Sequence, residues 1–375
     1  MSLRKNLSGS HVPSFDAVRG ISATMVVFAH LGLLPRQAGA LGVAIFFVLS
    51  GFLITWLLLK EFERTDGISL RDFYARRALR LFPAFYVFWL VCVKLAMIRG
   101  TAFDRGEVLS SFFYMGDYWF ALVPGHAGAE HIMGQTWSLG VEEKFYLLWP
   151  FLVLSLARRP RTLAKVAAGI IVATLGYRIA MWSFASVPAD YLRYAFESRF
   201  DNLLIGCLVA IAIRENLAAR VFDGLTRSAW LLVPTVGALL ASVAIEQVKG
   251  NGYHYMLGMT VDAILIATIL MQLVAVVSRP SWRWLEWRSL RYGGRLSYSI
   301  YLYHVPAIAF SMYWLRDSRW SIQVAGALTL TAVLAVASYQ LVEVPFLSLK
   351  KHFSREPRRV DAADGEPIPA IVPPK

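Results

Sequence analysis

Long apolar runs recur along the whole chain, and short polar segments separate them. Ten of these runs are candidate membrane spans, at 15–34, 40–59, 82–99, 138–157, 164–184, 200–213, 229–247, 255–277, 297–314 and 321–341. A run of about 20 apolar residues is typical of a spanning helix, which rises ~1.5 Å per residue through a ~30 Å hydrocarbon core. Backbone groups in lipid must pair within the chain, so the pattern predicts an all-α, polytopic bundle of about ten transmembrane helices.

Composition and charge agree with this interpretation. Hydrophobic residues make up 57% of the chain and charged residues 17%, which excludes an ordinary soluble domain. Of the 38 lysines and arginines, 26 lie in the segments on the N-terminal side of the spans and 8 on the opposite side. Basic residues concentrate in cytoplasmic loops, so both termini are predicted to be cytoplasmic. This topology accounts for the net charge of +13, and no nucleic-acid partner is expected.

The domain organisation follows from the same runs. Residues 1–350 form one predicted transmembrane domain, and residues 351–375 form a cytoplasmic tail that is rich in proline and charge and is expected to be disordered. The connection at about 100–137 is aromatic and is predicted to lie at the outer membrane surface as a lid. Its histidines do not have metal-site spacing, and no metal is expected.

The first run contains two groups that are costly in hydrocarbon, within FDAVRGISATMVVFAH. Arg19 and His30 are eleven residues apart, which leaves them ~20° from the same helical face and ~16 Å apart along the axis. If the helix enters the membrane near Phe15, Arg19 lies close to one surface and His30 lies deep. The pair then marks a path to a reaction centre, or else a snorkelling arginine and a packing histidine.

A basic cluster precedes the third run. Arg76, Arg77 and Arg80 lie in a predicted cytoplasmic helix over 69–80, and Arg77 and Arg80 share a face. Guanidinium groups bind phosphate oxygens in pairs, so the cluster is a candidate phosphate site. The alternative is membrane anchoring or contact with lipid phosphates.

Five further polar residues are candidates for the site. Glu142 lies one turn inside the fourth run, towards the outside, and Tyr146 shares its face. A carboxylate there marks proton transfer or an ion pair. Arg199 and Asp201 open the sixth run, where they bind hydroxyl groups of an acceptor or anchor the helix. His304 falls inside the ninth run, as a site residue or a packing histidine.

Several stretches together resemble the acyltransferase 3 family of membrane acyltransferases. They are FDAVRGISATMVVFAH, FFVLSGFLIT, FYARRALRLFPAFY, WSLGVEEKFYLLWP, LSYSIYLYHVP and LVEVPF, in the family's order across residues 13–350. The departures are Gly140, and Lys144 where glutamine is more usual.

The resemblance implies transfer of an acyl group, usually acetyl, from acyl-CoA to a hydroxyl of a sugar, an envelope glycan or a small product. Acyl-CoA is the donor substrate, and no permanently bound cofactor is implied. In that interpretation Arg76, Arg77 and Arg80 hold the donor phosphates, and the donor arm passes Arg19 towards His30. The imidazole then acts as general base or as nucleophile.

Two roles remain open for Glu142 in this scheme, orienting the imidazole or assisting the acceptor. The expected location is the inner membrane of a bacterium, among lipids. The alternative is a polytopic transporter of a small polar or acylated metabolite, which also carries charged residues in its spans.

Overall fold

The fold is built from helices alone in the part of the chain that the structure describes. The structure is a computed structural model that describes residues 3–7, 13–99, 104–123, 131–185, 187–276 and 280–353. These ranges contain no strand, which confirms the all-α class. Of the predicted tail, residues 351–353 end a 3₁₀ turn, and the rest lies outside the described residues.

The α-helices are numbered here in chain order. They are α1 (Leu3–Asn6), α2 (Pro13–His30), α3 (Arg36–Thr65), α4 (Leu70–Arg99), α5 (Arg105–Phe112), α6 (Gly116–Leu122), α7 (Thr136–Leu156), α8 (Pro160–Phe184), α9 (Ala189–Tyr194), α10 (Phe196–Arg214), α11 (Ala219–Thr226), α12 (Leu232–Lys249), α13 (Asn251–Tyr253), α14 (Met259–Val276), α15 (Arg288–Trp314), α16 (Trp320–Ser338) and α17 (Val344–Ser348). The 3₁₀ segments are Ala229–Leu231, Pro280–Glu286 and Leu349–Phe353, and the π-helical turns are His254–Gly258 and Tyr339–Glu343.

Many of these helices are suited to a membrane, so the chain is an integral membrane protein. Six described segments are long and apolar enough to cross one, and the pair α10–α11, bent by 103°, makes a seventh if it counts as one span. The six are Arg36–Thr65, Leu70–Ile98, Pro160–Phe184, Ala229–Lys249, Asn251–Val276 and Trp320–Phe353. The long helices α2, α7 and α15 are not among them because they carry more polar and charged residues, some of which belong to the candidate site described in the next subsection. The predicted count of about ten therefore stays a prediction.

Helix α2 ends earlier than the first apolar run does. The run continues to Leu34, but the helix stops at His30 and Gly32 adopts a left-handed φ of 72°. The amide of Leu33 donates to the carbonyl of Phe28, and the amide of Gly32 donates to that of Ala29. This is a glycine C-cap in which backbone amides satisfy the last carbonyls. His30 is thus the last helical residue and not a mid-helix residue.

Helices α2 and α15 pack in parallel with their backbones almost in contact. A Cβ on Gly294 would lie 2.0 Å from the carbonyl oxygen of Asp16, so glycine is required there. A Cβ on Gly20 would lie 3.0 Å from the amide nitrogen of Gly294, which sets the register of the two helices. Both His30 and His304 lie ten residues beyond this crossing, about 15 Å further along their helices.

Residues near both ends of the described chain lie at the C-terminal end of α3. Arg4 pairs with Glu63 at 3.2 Å, and Arg76 donates to Glu61 at 2.9 Å and to the carbonyl of Phe353. Residues near position 4 and position 353 therefore lie at the same end of the bundle, as an even number of crossings requires. The distribution of basic residues predicts that this end faces the cytoplasm.

Helices α5 and α6 fold over the first turns of α7 at the opposite end. Lys144 Nζ donates to Asp117 Oδ1 at 2.7 Å and to the carbonyl of Tyr114 at 2.9 Å, so the unusual lysine fastens α6 to α7. Glu107 in α5 accepts from the amide of Met133 at 3.0 Å and pairs with His131 Nδ1 at 2.8 Å. Burial raises the pKa of the Glu107 carboxyl, and the contact with His131 opposes that rise.

Candidate active site

One elongated cavity of about 430 Å³ lies between α2, α3, α4, α7 and α15. Its longest wall is a stripe on α3 that recurs every three or four residues, as one helical face does. The stripe consists of Val43, Phe46, Phe47, Ser50, Leu53, Ile54, Leu57, Leu58 and Glu61. From Val43 to Glu61 it spans ~27 Å at ~1.5 Å per residue. The cavity is thus a narrow channel that runs along most of α3.

The mouth of the cavity lies at the α3 end near Glu61 and is rich in basic groups. Lys60, Arg76 and Lys350 line it, and Arg76 is held by Glu61 and by the carbonyl of Phe353. Helix α4 runs without a break through the predicted 69–80 helix and the third span, and it carries the arginines from the mouth inwards. Of the three predicted phosphate ligands, Arg76 is therefore already paired.

The other arginines face the cavity further in. The Arg77 guanidinium lies over the Tyr146 ring at 3.2 Å from its centroid, and its Nε has no hydrogen-bond partner within the described ranges. Arg80 and Arg19 line the same space, and neither forms an ion pair with any residue that the structure describes. Arg19, Arg77 and Arg80 converge on one cavity, and the carboxylates of Asp16 and Glu142 line the same space. With Lys60 and Lys350 at the mouth, the lining still holds more cations than anions, which favours an anionic ligand.

The sequence suggested that Glu142 lies towards the outside, as Arg199 and Asp201 do. In the structure it lies with these arginines. It lines the cavity and accepts a hydrogen bond from Ser50 Oγ at 2.8 Å. Glu142 lies in the first turns of α7 with its carboxylate towards the cavity, and its depth in the membrane stays a prediction. No described contact joins Glu142 to His30, so neither predicted role for Glu142, orienting the imidazole or assisting the acceptor from outside, has geometric support.

The deep end of the cavity is closed by a layer of aromatic and hydroxyl side chains. The rings of Phe46 and Tyr301 meet edge to face with centroids 6.1 Å apart. The Tyr301 hydroxyl hydrogen-bonds with Ser138 Oγ and donates to the carbonyl of Gln135 at 3.1 Å. Phe46, Tyr301 and Ser138 are called the end wall below.

A pair of histidines lies directly behind the end wall. The His304 ring centroid is 5.5 Å from that of Tyr301 and 4.9 Å from that of His30. His304 is fully buried, whereas His30 is exposed and does not line the cavity. Helix α2 ends at His30, but α15 continues for ten residues beyond His304, so the depth of His30 in the membrane stays a prediction. The structure pairs the His30 ring with that of His304.

The backbone sets both imidazoles in the same protonation pattern. His30 Nδ1 is 2.8 Å from the carbonyl oxygen of Val26, and His304 Nδ1 is 2.7 Å from that of Tyr301. A carbonyl only accepts, so each Nδ1 carries a hydrogen and each neutral ring keeps its lone pair on Nε2. The Nε2 of His304 has no partner among the described residues. Nε2 is therefore the ring atom that can accept a proton in both histidines.

Asp201 and Arg199 occupy different surroundings. The carboxylate of Asp201 binds both terminal nitrogens of Arg178 at 2.9 and 2.8 Å and accepts from Thr260 Oγ1 at 2.6 Å. Asp201 and Arg178 are completely buried, so Asp201 joins α8, α10 and α14 and offers no free oxygen to an acceptor. Arg199 lies between the rings of Phe47 and Trp137, at 5.8 and 5.4 Å.

Sequence reasoning missed three residues that the structure places at the cavity. Ser50 and Tyr301 lie within stretches that were singled out, and their polar groups in apolar surroundings were the available signal. Lys350 reaches the mouth from the last described turn, far from α4 in sequence. Nothing in the local pattern around Lys350 separates it from an ordinary membrane-anchoring lysine.

Comparison with known proteins places this arrangement in context. The acyltransferase 3 family model, described as an acyltransferase domain, matches residues 12–340. Peptidoglycan O-acetyltransferase OatA of Listeria monocytogenes is 30% identical over 361 residues, which cover 90% of this chain and 56% of the relative. O-acetyltransferase OatA of Staphylococcus aureus is 28% identical over 373 residues, covering 92% and 58%.

The chain therefore spans little more than half the length of these curated relatives. No solved structure matches the chain at a significant level.

Proposed function

Because the chain belongs to the acyltransferase 3 family of membrane acyltransferases, we propose that it transfers an acetyl group from acetyl-CoA to a hydroxyl of a cell-envelope glycan. The observation that carries this proposal is the cavity itself. It is a channel of ~27 Å with a basic mouth and converging arginines, and one layer of side chains separates it from the pair formed by buried His304 and exposed His30.

The donor side of the proposal rests on shape and charge. Coenzyme A is a polyphosphate at one end of a long thin arm. Arg77 and Arg80, with Lys350 and Lys60 at the mouth, supply cations for the phosphates, and the α3 stripe supplies a channel for the arm. Arg19 lies further in, and Glu142 offsets part of the arginine charge when the cavity is empty.

The acceptor side rests on the histidine pair. The Nε2 of His30 takes the proton of the acceptor hydroxyl, and the hydroxyl oxygen attacks the thioester carbon. The carbon–sulfur bond then breaks, and the thiolate leaves as coenzyme A and takes up a proton. In the second route Nε2 attacks the thioester first and carries the acetyl group to the acceptor. Either route requires the end wall to open, since Tyr301 separates the cavity from His304 and His30.

The identity of the acceptor follows the relatives. One is named a peptidoglycan O-acetyltransferase, so a glycan hydroxyl in a bacterial envelope is the substrate class we propose, with the protein in the inner membrane. The exposed His30 lies at the end of α2 that is away from the basic mouth, which suits an acceptor that approaches from outside the cell.

The test uses purified protein in nanodiscs with acetyl-CoA and muropeptides from bacterial peptidoglycan. We expect loss of the thioester to match the appearance of O-acetylated muropeptide in the mass spectrum. Thioester that stays intact, although acetyl-CoA binds, would contradict acyl transfer and favour a transporter. Thioester loss without acetylated muropeptide would support acetyl-CoA as the donor and contradict the proposed acceptor.

A further inference from the structure

The end wall has a property that the proposed function does not use. Phe46 lies fifteen residues before Glu61 on the same face of α3, so the wall begins ~22 Å from the mouth of the cavity. The Tyr301 hydroxyl is held by hydrogen bonds to Ser138 Oγ and to the carbonyl of Gln135. Phe46 rests against that anchored ring. The channel therefore ends on a braced aromatic surface.

The acyl group is the part of an acyl-CoA donor that would meet this surface. With the phosphates at the basic mouth, between Lys350 and Arg80, and the arm along α3, the thioester points to the deep end and the acyl chain leads. With a two-carbon acyl group, the thioester carbon lies next to the end wall. It is then close to the histidines behind that wall. Each added methylene either holds that carbon back towards the mouth or presses on the rings.

We propose that Phe46, braced by Tyr301, limits the length of the acyl group and makes the enzyme selective for short chains. This inference rests on the proposed acyl-CoA donor. Phe46 is the specificity-determining residue because its ring lines the cavity and its side chain forms no hydrogen bond. Tyr301 braces the ring and also closes the layer in front of His304. One methylene in an apolar pocket commonly changes selectivity by about 10–200-fold.

The experiment compares wild type with Phe46→Leu and Phe46→Ala in nanodiscs. Each protein is given acetyl-, butyryl- and hexanoyl-CoA with muropeptides, and kcat/KM for acylated product is measured. Wild type should prefer acetyl over hexanoyl. Phe46→Ala should raise the hexanoyl-to-acetyl ratio by about tenfold or more, and Phe46→Leu should raise it less.

The matched control is Leu57→Ala. Leu57 lines the same stripe eleven residues nearer the mouth, where the donor arm and not the acyl chain would lie. It should leave the ratio unchanged, even if donor KM rises.

Three outcomes would overturn the inference. An unchanged ratio in Phe46→Ala, with wild type active on acetyl-CoA, removes Phe46 as the limit and leaves the proposed function standing. If Phe46→Ala fails to fold, as judged by size-exclusion chromatography, an unchanged ratio in Phe46→Leu has the same meaning. Wild type that neither binds nor consumes any acyl-CoA removes the proposed donor and this inference with it.

Discussion

The two histidines show how single residues acquire chemistry from their neighbours. Each Nδ1 donates to a backbone carbonyl three or four residues earlier, and this leaves Nε2 as the basic atom in both rings. His304 is buried behind Tyr301, whereas His30 is exposed. In the proposed mechanism an acceptor therefore reaches His30 without entering the cavity, and His304 positions the His30 ring.

Replacing His30 should abolish acyl transfer but leave donor binding intact. His30→Ala should lower kcat by ~10²–10⁴, the usual loss for a missing acid–base group. Acetyl-CoA affinity should stay near that of wild type, because His30 does not line the cavity. The measurement is product formation with saturating acetyl-CoA, together with equilibrium binding of the labelled donor.

The control for this prediction is His254→Ala. His254 pairs with Glu246 at 3.0 Å, away from the cavity, so turnover should be unchanged. Turnover of the His30 variant within about tenfold of wild type would remove His30 from the mechanism.

The position of each arginine around the axis of α4 determines whether it can contact the proposed donor. Because it is continuous from Leu70 to Arg99, successive arginines point in different directions around one axis. Arg76 points to Glu61 and is neutralised there, while Arg77 and Arg80 line the cavity. The anchoring interpretation fits Arg76 better than it fits the other two.

Changing the two cavity arginines should weaken donor binding. Arg77→Gln with Arg80→Gln should raise the acetyl-CoA KM by roughly tenfold or more, since each charge-assisted hydrogen bond contributes about 1.5–3 kcal/mol. The salt dependence of KM should become shallower, and kcat at saturating donor should change less. Initial rates across a donor series at two ionic strengths measure both effects.

Arg76→Gln serves as the comparison within the same helix. Its effect on KM should be smaller, because Arg76 is already paired with Glu61. An unchanged KM in the double variant would contradict donor binding by Arg77 and Arg80 and favour the membrane-anchoring alternative.

The whole molecule has two ends with different chemistry. The basic mouth lies at the end of α3 that also holds residues near both ends of the described chain. The histidine pair joins the last residue of α2 to the middle of α15, and the end wall lies between this pair and the cavity. This arrangement suits a transfer in which donor and acceptor approach from opposite sides of the membrane.

Oriented vesicles test that sidedness. Acetyl-CoA supplied only at the face with the basic mouth should label muropeptides sealed on the other face, and the reverse arrangement should give no product. Vesicles with His30→Ala protein provide the blank. Product that forms only when both substrates share the mouth side would contradict the two-sided model and favour a cytoplasmic small-molecule acceptor.

Features that depend on neighbours along the chain could be predicted from the sequence. Hydropathy and helical periodicity act over a turn or a span, so the all-α membrane class followed from them. The family followed from short motifs in a definite order. Arg19, Arg77, Arg80 and Glu142 could be singled out because a charge near an apolar span is costly wherever the helix packs.

Features that depend on contacts between distant segments required the folded chain. The placement of Glu142 beside the arginines depends on how α7 rotates against α3, and the pairing of Asp201 with Arg178 depends on how α8 and α10 rotate against each other. His30 meets His304 because Gly294 lets α15 approach α2 in one register. Local sequence carries no information on helix rotation or register, since these are set by side-chain packing across the interface.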